Sequence, residues 1–386
     1  MVDEVRTMGW GGRLGRSVKG VLIGGVLFIA SFPLLWWNEG NAVRTMKGLA
    51  EGASAVVSVG AEKVDGANEK KLVHFTGEAT TSEELVDDVF AAAKAKAIRL
   101  ERNCEIYQWK EDEKSETKKT IGGGERTEVT YEYQKVWSRE PINSSTFHKD
   151  AARYRELNPV NAGSIPNPSR SWSAAKVTLG AFTLPPSLLD GLKEEPLEWK
   201  GDVPVSAAPQ APKVHAGGLY FGLNPSDPQI GDVRVAWNAV RPQAASVLGV
   251  QTGETVSAFT TSTGTTIFDL RAGTMTAAQM FQAAEAEATM MLWVFRLVGW
   301  LCMLIGLALV FEPLGVVMDV LPFLGSLARL GTGLFAGLFS LVLSLLTISF
   351  AWLFYRPLIG VPLLAAAVGL LVWMKMLAAK RGVVRA

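Results

Sequence analysis

The residue types that most often carry chemistry are few and scattered in this chain of 386 residues. The three histidines are His74, His148 and His215, and the two cysteines are Cys104 and Cys302. They form no H-x-x-x-H pair and no cysteine pair of metal-site spacing, and neither a G-x-S-x-G elbow nor a G-x-x-x-x-G-K phosphate loop occurs. We therefore predict no catalytic residue, no metal site, no cofactor and no enzymatic activity.

One charged side chain, Arg296, lies inside an apolar run. A buried arginine in a membrane would pair with an acid or a lipid headgroup. Alternatively, an arginine near the start of a spanning helix extends its side chain to the interface. The position of Arg296 favours this second interpretation. Because an ion path normally needs several such groups, transport through the helices is disfavoured.

A second apolar run carries small and hydroxylated residues at intervals of four and three, which places them on one helix face. They are Gly333, Gly337, Ser340, Ser344, Thr347 and Ala351. Lipid gains nothing from such a face, whereas a neighbouring helix can approach it closely. We predict that it packs against a helix of the same chain or of a second copy. Possible partners in other runs are Gly20 and Gly24, and Gly299 and Gly306.

Four apolar runs, at 21–37, 289–311, 332–354 and 358–375, hold these residues, except Gly20, which directly precedes the first run. Each is long enough for a helix to cross about 30 Å of hydrocarbon. The first run ends in Trp36 and Trp37 and offers no small-x-small cleavage site, so it is expected to be a permanent anchor rather than a signal peptide. The chain is predicted to be a membrane protein with four transmembrane helices.

Basic residues flank both ends of this layout, which places residues 1–20 and 376–386 in the cytoplasm by the positive-inside rule. The connection at 312–331 is then cytoplasmic or interfacial, and residues 38–288 lie on the opposite side. The net charge of +1 gives no argument for a nucleic-acid partner.

The large region 38–288 is expected to be a β-rich α+β domain inserted between the first two spans. Cys104–Lys110 and Glu128–Trp137 alternate as a hairpin does, with a long charged loop between them. Glu83–Leu100 has helical spacing. The proline-rich connector 202–213 leaves one lobe or two open. Thr276 is expected to cap a helix that runs unbroken from the domain into the membrane.

Short motifs, in their order and spacing, make the chain resemble the transmembrane protein 43 family, also called LUMA. They are Asn38-Glu39-Gly40, Leu49-Ala50-Glu51-Gly52, Leu72-Val73-His74, Glu105-Ile106-Tyr107-Gln108-Trp109, Ile142-Asn143-Ser144 with Phe147, Gly231-Asp232 with Arg234, Gly299-Trp300, and Ala351–Leu358 with its Tyr355-Arg356-Pro357. The resemblance implies four spans, a large domain between the first two, and a non-enzymatic role in organising membrane complexes. Eukaryotic relatives lie in the endoplasmic reticulum and inner nuclear membrane. This chain departs at 202–213 and shows no recognisable retention signal, so nuclear-envelope partners are not carried over.

Two functions are compatible with these features. The preferred one is a scaffold that associates with itself or with other membrane proteins in the bilayer. The alternative is a sensor that binds a lipid or small molecule in the extracytoplasmic domain and signals through the second span. The Ala- and Gly-rich composition favours a bacterial cytoplasmic membrane with the large domain in the periplasm. In a eukaryote, the endoplasmic reticulum or nuclear envelope is expected instead.

Overall fold

The computed structural model describes residues 4–148, 158, 168–201, 212–319, 322–358 and 360–362, with the backbone alone for residues 322–329. It contains three long helices: α1 at Trp10–Ala55, α2 at Ala277–Met318 and α3 at Pro322–Tyr355. By length and composition, α1, α2 and residues Leu330–Tyr355 of α3 could each cross a membrane. The protein is thus a membrane protein with three candidate spanning helices and a β-rich domain.

The helices are longer than the apolar runs within them. α1 continues past the predicted membrane exit at Asn38. The predicted connection at 312–331 is largely helical: α2 continues through Pro313 to Met318, and α3 begins at Pro322. α2 begins at the predicted cap, where Gln279 N donates to Thr276 Oγ1 at 3.2 Å, and its unbroken course confirms the predicted continuous helix. The predicted fourth span, 358–375, and the tail 376–386 lie almost entirely outside the described residues.

Nineteen short and long strands are described. They are β1 (Glu4–Met8), β2 (Val57–Ser58), β3 (Leu72–Thr80), β4 (Glu84–Val86), β5 (Lys94–Lys96), β6 (Arg99–Lys119), β7 (Glu125–Ser138), β8 (Arg170–Ser173), β9 (Val177–Leu179), β10 (Phe182–Leu184), β11 (Glu195–Leu197), β12 (Lys213–His215), β13 (Gly218–Phe221), β14 (Val233–Val240), β15 (Gln243–Thr252), β16 (Thr255–Ser257), β17 (Phe259–Thr260), β18 (Thr266–Ile267) and β19 (Asp269–Ala272). All except β1 come between α1 and α2 in the chain.

Two sheets carry most of these strands. The first has the order β1-β7-β6-β14-β13-β12, with β11 on β14 and β8 on β6. The second has the order β19-β15-β16-β10-β9-β3-β2, and a further β15–β3 pairing closes five strands into a ring. Both sheets take strands from either side of the predicted connector at 202–213, so the chain is not divided into two lobes there. Residues 202–211 themselves lie outside the described part.

Each sheet has its own buried cluster, and a third cluster joins the domain to the helices. Phe75 and Phe182 stack in the core of the second sheet, with ring centroids 4.2 Å apart. Trp237 and Leu219 lie in the core of the first. The third cluster comprises Leu49 of α1, Met280 and Phe281 of α2, and Leu72, Leu248 and Ile267 of the strands.

The predicted helix at Glu83–Leu100 is wrong. This stretch forms β4, β5 and turns, because the Asp87 carboxylate accepts hydrogen bonds from Val89 N at 2.9 Å and Phe90 N at 3.1 Å. An aspartate that satisfies nearby backbone N–H groups in this way competes with helix formation. Of the predicted helical face, Leu85 is buried, but Val89 is 51% exposed, and the neighbouring Phe90 is buried in its place.

The predicted hairpin is confirmed, with Tyr107 opposite Trp137, but its predicted long loop is wrong. β6 continues to Lys119, directly opposite Glu125, and Gly122 and Gly123 turn the chain with φ angles of 90° and 81°. Oppositely charged residues of the two strands pair diagonally: Lys114 is opposite Thr130 but lies 2.5 Å from Glu132, and Lys118 lies 3.3 Å from Glu128. Long side chains can form such diagonal cross-strand pairs, which support the extended charged strands.

The tip of this hairpin lies against the N-terminal segment. β1 pairs antiparallel with β7, with Val5 opposite Glu128. At the start of α1, the Trp10 indole N–H donates to the Val316 carbonyl at 2.9 Å, and Arg13 reaches the Gly123 carbonyl. The structure thus brings together two segments, 1–20 and part of 38–288, that the positive-inside rule places in different compartments.

Candidate functional site

Three helices meet at a buried carboxylate, Glu39 of α1. The Arg296 guanidinium of α2 contacts it through both ends, with Nε 2.6 Å from Oε1 and Nη2 2.9 Å from Oε2. The Trp352 indole N–H of α3 donates to Oε2 at 2.8 Å. Glu39 is completely buried and Arg296 is 11% exposed. We call these three residues, with their neighbours Asn38 and Gly40, the helix junction.

Arg296 therefore has an acidic partner, and the interpretation that its side chain extends to the interface is wrong. Its guanidinium also lies over the rings of Trp293, at 4.6 Å, and Trp352, at 5.6 Å, where ring faces favour a cation. The partner escaped sequence analysis because Glu39 was assigned to the membrane exit. Antiparallel packing of α1 and α2 brings the two residues to one level.

The neighbours of Glu39 complete the junction. Asn38 donates from Nδ2 to the Leu292 carbonyl of α2 at 3.1 Å. Gly40 lies under the Tyr355 ring, where a Cβ atom would stand 2.5 Å from the ring carbon Cζ. The two motifs Asn38-Glu39-Gly40 and Tyr355-Arg356-Pro357 thus meet in space although more than 300 positions separate them in sequence. Arg356 is half-buried and donates its backbone N–H to the Trp352 carbonyl at 2.8 Å; Pro357 is exposed.

Close packing of α1 on α2 depends on glycines. A Cβ atom at Gly24 would stand 2.6 Å from the Gly306 carbonyl oxygen, and one at Gly299 would stand 2.5 Å from Leu35. Gly20 is looser, 3.5 Å from Glu312. These glycines were predicted as possible partners of the α3 face, but they bring α1 and α2 together instead. Trp300 follows Gly299 in α2 and is half-buried.

The predicted small-residue face of α3 divides into two parts. Ser340, Ser344 and Ala351 are buried, and Ser344 Oγ lies 3.5 Å from the Met303 sulfur of α2. Thr347 is half-buried and donates to the Leu343 carbonyl of its own helix at 2.8 Å. Nothing in the described residues lies within 4 Å of a Cβ atom at Gly333 or Gly337. Only the later part of the face is used within the chain as described.

Gly24→Leu is expected to destabilise the helix bundle by about 1–3 kcal/mol or more, because the new side chain would overlap the α2 backbone. Gly25→Leu is the matched control, since a Cβ atom there meets nothing within 4 Å. Thermal unfolding in detergent, followed by helical circular dichroism, should show a lower Tm for Gly24→Leu only. Equal Tm values for the two variants would contradict the close approach of α1 to α2.

A second group of motif residues holds the base of the hairpin. The buried Gln108 donates to the Glu140 carbonyl at 2.7 Å and accepts from Ile142 N at 2.9 Å. The other residues of this group also make contacts that hold the strands. The Tyr107 ring packs against Trp137 with centroids 5.0 Å apart, Trp109 N donates to Asn158 Oδ1, and Asn143 accepts from Ser145 N. Gly231, with a φ of 95°, donates its N–H to the Tyr107 carbonyl, Asp232 accepts from the Tyr220 hydroxyl, and Arg234 pairs with Glu105. They position the strands rather than surround a cavity.

A buried ion pair in the domain was missed by sequence analysis. Asp87 is fully buried, and its Oδ1 lies 2.7 Å from Arg102 Nη1, which is 3% exposed. The Trp237 indole N–H donates to Asp87 Oδ2 at 2.8 Å. No local sequence pattern links Asp87 to Arg102 and Trp237, and Asp87 lies in a stretch that is predicted to be helical.

A third ion cluster fixes the hairpin tip to the far end of the bundle. Arg13 is 3% exposed and lies 2.9 Å from Glu125 and 2.7 Å from the fully buried Asp319. Lys119 lies 3.3 Å from Asp319, and Arg16 lies 2.8 Å from Glu125. Two basic and two acidic groups of the hairpin and helix ends thus neutralise one another, with Arg16 at the rim.

The histidines and cysteines lie apart. His74 Nε2 is 2.9 Å from the Met275 carbonyl, and burial lowers its pKa below the usual value. His148 stacks on Tyr131, and His215 lies 6.1 Å from the Tyr220 ring. Burial raises the pKa of Cys104 to about 12, so its thiol is a poor nucleophile. Within the described residues, no three His, Cys, Asp or Glu side chains gather as a metal site would require.

Comparison with known proteins gives matches over most of the chain. A family model described as Transmembrane protein 43 matches residues 106–357. Transmembrane protein 43 from Rattus norvegicus is 32% identical over 362 residues, which cover 90% of this chain and 87% of the relative. The Homo sapiens protein is 32% identical over 361 residues with the same coverage, and the Drosophila melanogaster homolog is 26% identical over 361 residues, 91% of this chain and 93% of the relative. No solved structure matches.

Proposed function

The chain belongs to the transmembrane protein 43 family, and from this premise we propose that it is a non-enzymatic membrane scaffold. Its helix bundle would associate with further copies or with other membrane proteins, and its β-rich domain would present a binding surface. The helix junction is the observation that carries the proposal. A buried Glu39–Arg296 pair that also engages Trp352 fixes three helices in one arrangement. Such a pair favours specific packing over looser alternatives.

Rigid attachment of the domain supports the same role. Leu49 of α1 and Phe281 of α2 pack in the cluster that joins helices and strands. Arg271 of β19 pairs with Glu287 of α2 through two hydrogen bonds, at 2.7 and 2.9 Å, and these lower the pKa of Glu287. A binding surface held in this way keeps a defined orientation toward the bundle, as a scaffold requires.

The scaffold proposal predicts that Gly337→Leu reduces assembly without unfolding the chain. A Cβ atom at Gly337 meets nothing within 4 Å of the described residues, so the new side chain would project from the bundle toward an associating helix. We expect the assembly mass in lipid nanodiscs, or the yield of co-purified membrane proteins, to fall several-fold. Gly25→Leu, an equal enlargement at an open position of α1, should change neither. Wild-type mass and partners for Gly337→Leu would contradict this packing face.

A second candidate function is a lipid sensor. The apolar groove that favours it lies between α1 and α3 of the helix bundle and not in the domain, where the sequence-based prediction placed the ligand. The groove has a volume of about 880 Å³ and is lined by residues such as Phe32, Trp36, Thr347 and Phe350. Its chemistry suits an acyl chain, and α2 runs unbroken from the bundle to the domain. Thr347→Trp would obstruct the groove. Loss of a specific co-purified lipid in mass spectra would support this candidate over the scaffold.

We further propose that the chain resides in a bacterial cytoplasmic membrane, with most of its domain in the periplasm. A eukaryotic source would place it in the endoplasmic reticulum or nuclear envelope. The basic residues at both termini and the apolar helices support the orientation. Its partners would then be the bilayer, further copies and other membrane proteins, with no nucleic acid. Membrane fractionation and labelling of a terminal tag test this assignment.

A further inference from the structure

The outer part of the long hairpin forms a ribbon that extends from the domain to the opposite end of the bundle. We use the term ribbon for residues 107–119 of β6, 125–137 of β7 and the paired strand β1. Its base is held in the domain, where Tyr107 N donates to the Asp232 carbonyl at 2.8 Å. Its tip is held by Arg13 of α1 and Asp319 after α2.

The ribbon is about as long as the part of α1 between the domain and Arg13. The domain reaches α1 at Arg44, whose carbonyl accepts from Thr263 Oγ1 at 3.0 Å. From Arg44 to Arg13, a helix rising about 1.5 Å per residue spans about 46 Å. From Ile106 to Lys119, a strand rising about 3.4 Å per residue spans about 44 Å. The ribbon therefore passes the same layer that the apolar residues 21–37 of α1 cross.

The ribbon is chemically unsuited to lipid. One face carries charged residues along its whole length: Lys110, Asp112, Lys114, Glu116 and Lys118 of β6, and Arg126, Glu128 and Glu132 of β7. Several are well exposed, with 64% of Lys114 and 72% of Glu116 accessible. Each charge at the centre of a bilayer costs at least about 2.5–3.5 kcal/mol, and open sheet edges do not occur in hydrocarbon.

The contact between the ribbon tip and the helix bundle is nonetheless buried and specific. Arg13 and Asp319 are almost completely buried, and Val5 lies directly opposite Glu128 in the β1–β7 register. A buried arginine with two carboxylate neighbours is a specific arrangement, because either charge alone would be strongly disfavoured there. The ribbon and the bundle must then share one level of the membrane without the ribbon contacting lipid.

We propose that the ribbon crosses the level of the bilayer in a water-filled space enclosed by several copies of this chain. Its tip then reaches the compartment of the N-terminus, while the rest of the domain remains on the other side. In this arrangement β1 can pair with β7 while the basic residues before α1 stay in the cytoplasm, as the positive-inside rule requires. Several copies are required because a charged ribbon beside one bundle would face lipid. The proposal does not depend on the scaffold function.

Single cysteines at exposed positions test which side the tip occupies, in sealed vesicles treated with a membrane-impermeant thiol reagent. Ile121→Cys probes the tip, where Ile121 is 91% exposed, and Leu223→Cys probes the domain, where Leu223 is 67% exposed. The unsubstituted chain, with Cys104 buried, supplies the baseline. We expect Ile121→Cys to react only from the side of an N-terminal tag, and Leu223→Cys only from the opposite side. Reaction of both from one side would overturn the proposal.

Two further readouts test the surroundings of the ribbon. Lys114→Cys should react with the reagent at least about tenfold faster than Leu338→Cys, which is placed on the apolar surface of α3, because thiolate forms in water and not in lipid. Equal, slow reaction would exclude a water-filled space. The mass in nanodiscs should correspond to more than one chain; a single chain would also overturn the proposal.

Disulfide formation tests the tip contact itself. Val5→Cys with Glu128→Cys should cross-link in native membranes, because the two residues lie opposite each other. Val5→Cys with Glu132→Cys is the matched control, displaced by about 14 Å along β7 at about 3.4 Å per residue, and should not cross-link. Failure of the first pair, or equal cross-linking of both, would show that β1 does not pair with the ribbon in the membrane.

Discussion

Arg296→Met is expected to lower the free energy of unfolding by about 3–5 kcal/mol, because Glu39 would remain as an unpaired charge in a buried site. Glu39 is fully buried, and its other side-chain partner is the neutral indole of Trp352. The change should appear as a lower Tm of the helical signal in detergent or nanodiscs. Loss of the guanidinium also removes the contacts with the Trp293 ring, whose fluorescence should shift.

Two controls separate this effect from a general sensitivity to lost charge. Glu39→Gln combined with Arg296→Met should recover part of the stability, because neither charge is then left alone. Lys114→Ala removes an ion pair with Glu132 whose side chains are 64% and 52% exposed, and should cost at most about 1 kcal/mol. If Arg296→Met unfolds at the wild-type temperature, the buried pair does not form in the membrane.

Asp87→Ala is expected to cost a similar amount, about 3–5 kcal/mol, within the domain. The substitution leaves the buried Arg102 with only the more distant Asp88, at 3.7 Å. It also removes the acceptor for the Trp237 indole and for the backbone N–H groups of Val89 and Phe90. Near-ultraviolet circular dichroism, which reports the packing of buried aromatic residues such as Trp237, should show unfolding at a lower denaturant concentration.

The adjacent carboxylate is the natural control for this substitution. Asp88 is 44% exposed and pairs with Arg170, which is 56% exposed; it lies 3.7 Å from Arg102, farther than Asp87 at 2.7 Å. Because Asp88→Ala leaves the closer Asp87–Arg102 pair in place, it should change stability by no more than about 1 kcal/mol. Similar losses for Asp87→Ala and Asp88→Ala would mean that burial does not distinguish the two sites.

The features that can be predicted from the sequence are those whose physical signal is local. The membrane helices follow from continuous apolar runs, the hairpin from alternation between Glu128 and Trp137, and the start of α2 from a Thr276 cap. Each of these patterns is contained within one element, so no knowledge of neighbours is needed.

Features that depend on a partner distant in the chain cannot be predicted in this way. The residues of Glu83–Leu100 have helical spacing but form a turn at Asp87, because Arg102 and Trp237 hold the Asp87 carboxylate in place. The environment of Arg296 depends on Glu39, 257 positions away. β1 was not predicted because five residues with no apolar alternation become a strand only by pairing with the hairpin tip.

Because α2 is one unbroken helix, a change in its tilt within the membrane also moves its end in the domain. From Ala277 to Met318 the helix is about 63 Å long at about 1.5 Å per residue, and no hinge interrupts it between membrane and domain. Spanning helices tilt when the bilayer becomes thinner or thicker. A change in tilt of about 5° would move the far end of such a rod by about 5 Å. Bilayer thickness would thereby be transmitted to the position of the ring of strands that α2 carries.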